Sequence, residues 1–145
     1  MRLLLALLLL SNPFCQRFDS ITASEETDRH REVIKIVKDR CAELGLYPWV
    51  TITEEVWLVT YLDREPVPAA MWTSVSWNEI YVWAEILHYD NDLIDAYARH
   101  ECCHIKLGHK RGTIENEREA DQCAREQYGK TDGRVSTASC MSWMQ

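Results

Sequence analysis

The chain has 145 residues, 46% of them apolar and 27% charged, the composition of a single globular domain rather than of a disordered, fibrous or repeat protein. Its 23 acidic side chains against 16 basic ones give a formal net charge of −7, which argues against nucleic acid or an anionic membrane surface as partner. A membrane-spanning helix needs about 18 or more consecutive apolar residues. The longest such run here is Leu3 to Leu10, so no integral membrane span is expected in the mature chain.

Arg2, the leucine-rich run and the turn-forming Ser11-Asn12-Pro13 have the charged and apolar regions of a secretory signal peptide. Residues 1–23 are therefore expected to be an export signal and linker, cleaved between Ser11 and Ser24, with an uncleaved N-terminal membrane anchor as the alternative. Export, periplasmic or secreted, would put the remaining cysteines in a compartment where disulfides persist. The six cysteines include no C-x-x-C pair, so neither a zinc ribbon nor a thioredoxin-like redox motif is expected, and spacing alone fixes no connectivity.

The polar stretch 20–27 reads as a linker ending in a helix cap at Thr27 or Asp28. A helix follows, with Val33, Ile34, Ile36, Val37, Cys41 and Leu44 at near-helical spacing and Gly45 and Pro48 as stop signals. Residues 49–62 are rich in β-branched and aromatic side chains and predict one or two strands, and residues 63–68 a loop. Another strand is expected over 72–76, a turn at Trp77-Asn78-Glu79, and a strand over 79–86 with Ile80, Val82, Ala84 and Ile86 on one face. Two helices, roughly 92–108 and 113–128, are separated by a connection bounded by Gly108 and Gly112. The order is that of an α+β domain over residues 24–128, with an N-terminal helix, an antiparallel-rich sheet and two packed helices, then an irregular tail over 129–145.

The chemistry is concentrated in His100-Glu101-Cys102-Cys103-His104, an H-E-x-x-H motif inside a predicted helix. At 100° per residue the two histidines lie about 40° apart on one face, so both imidazoles can reach one metal ion. Glu101 lies beside them, where it can address a metal-bound water. Leu93, Ala96, Tyr97 and Leu107 share the histidine stripe, so both histidines are expected to point inward. Cys102 points away from that face, which suits a disulfide, and Cys103 at its flank is expected to be buried. In the next helix Glu117 and Asp121, at i, i+4 spacing, offer one carboxylate as a third ligand and one to hold the outer N–H of a ligand histidine. Ala120 and Ala124 leave room for close helix approach. Glu119 is the runner-up third ligand, and His109 reads as a helix-terminal histidine before a ligand.

H-E-x-x-H followed by E-x-x-x-D resembles the two-part signature of the gluzincin metallopeptidases, the group that includes thermolysin. The run from Ala98 to His109 is similar to the H-E-x-x-H-x-x-x-x-H of the HtpX-like and Oma-like peptidases, and Glu117-Arg118-Glu119-Ala120-Asp121 to their E-x-E-A-D. The compact size resembles minimal gluzincins of the ImmA/IrrE type. The resemblance implies zinc held by His100, His104 and Glu117, Glu101 as general base and Asp121 as an outer hydrogen-bond partner. A metzincin pattern fails, because its third histidine would fall at Lys110.

These residues together predict a zinc-dependent endopeptidase, acting on a peptide or protein substrate through a water activated by Glu101. The strand over 79–86 is the expected partner for an extended substrate. Trp72, Trp77 and Trp83 either line that cleft or belong to the core, and Tyr89, His88, His109 and Tyr128 are equivalent candidates for oxyanion donor. The competing reading is a catalytically silent, zinc- or disulfide-stabilised protein-binding module.

Overall fold

A computed structural model describes residues 23–59 and 66–128. The expected export signal up to residue 22, residues 63–65 of the expected loop, the tail over 129–145, Cys15 and Cys140 lie outside the described residues. The architecture is α+β, with a helix, a small sheet and then two packed helices.

Helix α1 spans Ala23–Glu43 and buries Val33, Val37 and Cys41, one side chain per turn. It starts earlier than expected, so Thr27 and Asp28 lie inside the helix and not at its cap. Ala and Glu in its first turns are strong helix formers, and that propensity outweighs the capping signal farther on. Gly45, at φ 71°, ends it in the left-handed conformation that favours glycine. Arg29 fastens α1 to the chain entering the next helix, donating to the carbonyls of Leu87 and Tyr89 and to Asn91.

Strands β1 (Trp49–Thr53), β4 (Met71–Ser74) and β5 (Glu79–Trp83) form a sheet in the order β1-β5-β4. Between β1 and β4 in sequence, β2 (Leu58–Val59) and β3 (Val67–Pro68) make a separate antiparallel ribbon, so a strand occupies part of the stretch expected to be a loop. The main sheet is mixed: β4 pairs antiparallel with β5, but β1 runs parallel to it. The turn between β4 and β5 is closed by Asn78 N–H to the Val75 carbonyl at 3.2 Å, with Asn78 at φ 49°. After Trp83 the expected strand gives way to a 3-10 turn, Ala84–His88. Ala84 and Ile86 remain buried there, so the alternation marked burial correctly while the backbone changed form.

Helix α2 (Asn91–Leu107) is capped by Asp90, whose carboxylate accepts the Leu93 N–H at 3.0 Å. Helix α3 (Ile114–Gln127) is capped in the same way by Thr113, which accepts from Asn116 N–H at 3.1 Å. The core lies between α1, α2 and the inner face of the sheet, where Val33, Val37, Ile80, Val82, Leu93, Ile94 and Ala98 are closed to solvent. Full burial of such side chains contributes about 1.5–3 kcal/mol each. Cys102 is bonded to Cys41 of α1 and Cys103 to Cys123 of α3, so α2 is covalently joined to both neighbouring helices. Cys103 is buried as expected and is also bonded; no free cysteine occurs among the described residues.

Among the described residues no helix is long and apolar enough to cross a membrane.

Candidate metal centre

The inward face of α2 carries His100, Glu101 and His104, each buried, with relative exposures of 7%, 6% and 7%. Helix α3 packs beside it through Ala120, Cys123 and the disulfide to Cys103. The small side chain of Ala120 lets the two helices approach closely, and the approach brings Glu117 and Asp121 onto the histidines.

Glu117 meets both imidazoles. Its Oε2 is 2.9 Å from His100 Nε2 and its Oε1 is 3.4 Å from His104 Nε2. The two Nε2 atoms are themselves 3.0 Å apart. A tetrahedral zinc with nitrogen ligands at about 2.0–2.1 Å sets those ligand atoms about 3.3 Å from one another. The separations of the His100, His104 and Glu117 donor atoms therefore match one face of such a tetrahedron. Donor atoms of His100, Glu101 and His104 also lie within 4.8 Å of each other, so Glu101 stands beside the two histidines. Glu117 touches both Nε2 atoms, and the chemistry of the His-His-Glu set fits a zinc ion with one position left for water or substrate.

The surrounding groups orient this set. Asp121 Oδ1 is 2.8 Å from His100 Nδ1, which fixes the proton on Nδ1 and leaves Nε2 facing Glu117 and His104. Glu101 is held from the sheet: Thr73 on β4 donates its hydroxyl to Glu101 Oε2 at 2.6 Å. His109 Nδ1 is 3.0 Å from His104 Nδ1, and His109 Nε2 is 2.9 Å from Glu119 Oε2. Glu119, the runner-up ligand from sequence, thus contacts His109 and not His100 or His104.

The side chains by themselves form a tight proton-sharing cluster. Burial works against charge on His100, but the hydrogen bonds to Asp121 and Glu117 and the charge of Glu101 outweigh it and lift its pKa to about 10. Burial also opposes ionisation of Glu117, and the hydrogen bonds and charge of the two histidines overcome that and lower it to about 2. Glu101 moves the other way: burial raises it, the histidines and Thr73 offset part of the rise, and Glu117 adds to it.

Two expectations about the substrate cleft change. Strand β5 is central, hydrogen-bonded to β1 on one side and β4 on the other, so it has no edge to offer. The edge beside Glu101 belongs to β4 among the described residues, because Thr73 sits on that strand. Trp72 alternates with the inward Met71 and Thr73 and stacks between Trp57 and Tyr81, with ring centroids 6.0 and 5.2 Å away, on the outer face of the sheet. Trp77 is exposed in the β4–β5 turn. Tyr128 donates its hydroxyl to the Arg40 carbonyl at 2.9 Å, on the α1 side of α3, and Tyr89 is buried in the main core.

Sequence reasoning did not identify Thr73. Its one signal is a hydroxyl at a position that shares the buried parity of Met71.

Comparison with protein-family models, with curated proteins and with solved structures finds no match to this chain.

Proposed function

We propose that this chain is an exported zinc-dependent endopeptidase of minimal gluzincin architecture. The observation that carries the reading is the convergence of His100 Nε2, His104 Nε2 and the Glu117 carboxylate within 2.9–3.4 Å, with Glu101 buried beside them. His100, His104 and Glu117 would hold the metal, which when bound supplies the Lewis acidity that polarises a peptide carbonyl and lowers the pKa of a water toward about 7.

Glu101 accepts the proton of the attacking water at its carboxylate and delivers it to the departing amine. Its pKa, raised by burial, moves toward the operating pH, which suits a group that must both take and give a proton. Thr73 keeps that carboxylate in one orientation through Oε2. Asp121 holds His100 so that Nε2 carries the lone pair. An extended peptide adds to the β4 edge, which brings its scissile bond past Glu101 from the strand that already contacts it. Two disulfides among the described residues support an oxidising compartment, in keeping with the N-terminal signal.

The test is elemental analysis of the purified chain followed by peptide cleavage. About one zinc per chain is expected, lost or much weakened in Glu117→Ala. Glu101→Gln should keep the zinc and lose cleavage by about 10²–10⁴-fold. Undiminished cleavage by Glu101→Gln overturns the mechanism. A wild-type protein that neither contains nor takes up zinc overturns the peptidase reading and leaves a disulfide-stapled binding module.

A further inference from the structure

His109 is an imidazole packed beside the candidate centre, against His104. Its position follows from the way α2 ends. Gly108 adopts φ 70°, and the chain reverses so that His109 N–H bonds the His104 carbonyl at 3.0 Å. That turn lays the His109 ring back against His104, with ring centroids 5.2 Å apart. The His109 side chain keeps 7% of its exposure, and Glu119 reaches it from α3.

We propose, resting on the zinc-site reading above, that His109 and Glu119 form an outer clamp that sets the tautomer and ring orientation of His104. His104 can offer a lone pair at Nε2 only if its proton sits on Nδ1. Nδ1 faces His109 Nδ1 at 3.0 Å, and a bond between two neutral ring nitrogens needs one proton between them. When His104 donates that proton, the proton of His109 must be on Nε2. There it points at Glu119 Oε2, 2.9 Å away, an acceptor by nature. The opposite assignment, with neutral rings, puts the His104 proton on the ligand nitrogen and leaves a bare His109 nitrogen against a carboxylate.

One arrangement therefore satisfies both ring contacts of His109, and it is the one a metal on His104 Nε2 requires. His100 receives the same service from Asp121 directly, at 2.8 Å, so each ligand histidine ends on a carboxylate of α3. His109 and Glu119 are positioning residues: they act on the metal through His104.

Zinc affinity of the full chain, measured by competition with a chromophoric chelator, tests this. His109→Leu removes the acceptor at similar bulk and should weaken zinc binding about 10–100-fold. His109→Asn presents an amide oxygen where Nδ1 stands, and should restore affinity to within about threefold of wild type. Melting temperatures of the chelator-treated proteins control for folding, and the three should agree closely. Wild-type affinity in His109→Leu overturns the clamp. A loss in His109→Asn as large as in His109→Leu also overturns it, since it would mean that the imidazole itself binds the metal. A wild-type chain that binds no zinc overturns the clamp together with the metal site beneath it.

Discussion

Thr73 reaches from β4 to Glu101 on α2, with its hydroxyl 2.6 Å from Oε2 and 3.3 Å from the Glu101 carbonyl oxygen. The strand proposed to receive a substrate at its edge thus also grips the proposed general base, so one short element would set both parts of the proposed reaction. Thr73→Val keeps the shape and deletes the hydroxyl. It should lower kcat about 10-fold, by freeing the carboxylate and removing a bond to its charged form, with zinc content unchanged. Steady-state kinetics beside elemental analysis measure this, and an unchanged kcat would remove Thr73 from the mechanism.

Helix α3 buries Ala120 and Cys123 and few other apolar atoms, so its docking depends on the Cys103–Cys123 bond and on the polar contacts of Glu117, Glu119 and Asp121. A disulfide closing a loop of this size contributes about 3 kcal/mol. In the double variant Cys103→Ser, Cys123→Ser, zinc should become necessary for the docking of α3. Chelator is expected to lower helicity by circular dichroism in the variant and to leave wild type nearly unchanged. Equal responses in the two proteins would mean that packing alone secures α3.

The metal-free protein should carry a pH signature of the His100–Glu117 pair. His100, lifted from 6.5 to about 10, contributes stability that is complete below 6.5 and lost as pH rises through 10. Glu117, lowered from 4.5 to about 2, contributes stability that is present above 4.5 and lost as pH falls through 2. Both contributions are whole between about pH 4.5 and 6.5, so chelator-treated protein should be most stable there with respect to this pair. Denaturant melts across pH measure it, and Glu117→Gln should flatten the acid limb. A stability maximum above pH 8 that persists in Glu117→Gln would contradict the assignment.

Most of the buried helix faces were legible in the sequence because a 3.6-residue period leaves a strong mark: Val33, Val37 and Cys41 on α1, and His100 and His104 on α2, face inward as their spacing requires, whereas Leu107 of the same stripe is exposed because the helix ends there. The pairing of β1 with β5 was not legible. Alternation of Ile80 and Val82 fixes which face is buried, and says nothing about the direction of the neighbouring strand. The 3-10 turn hid for a related reason, since Ala84 and Ile86 continue the alternation of the strand before them. Glu117 and Asp121 could be paired with the histidines because one helical step relates them. Thr73 and His109 could not: one depends on which strand lies over α2, the other on a left-handed residue that folds the chain back on its own helix.

Cys102 and Cys103 are adjacent, and their bonds to Cys41 and Cys123 close two covalent rings that abut at a single peptide bond within the buried motif. A nick anywhere from residue 41 to 102, or from 103 to 123, opens a ring and leaves both fragments tethered. Within the span from Cys41 to Cys123, the one bond that belongs to neither ring, between Cys102 and Cys103, is shielded by side chains closed to solvent. A molecule clipped inside either ring would keep its histidines and its carboxylates on one connected body and would come apart only where thiols are reduced.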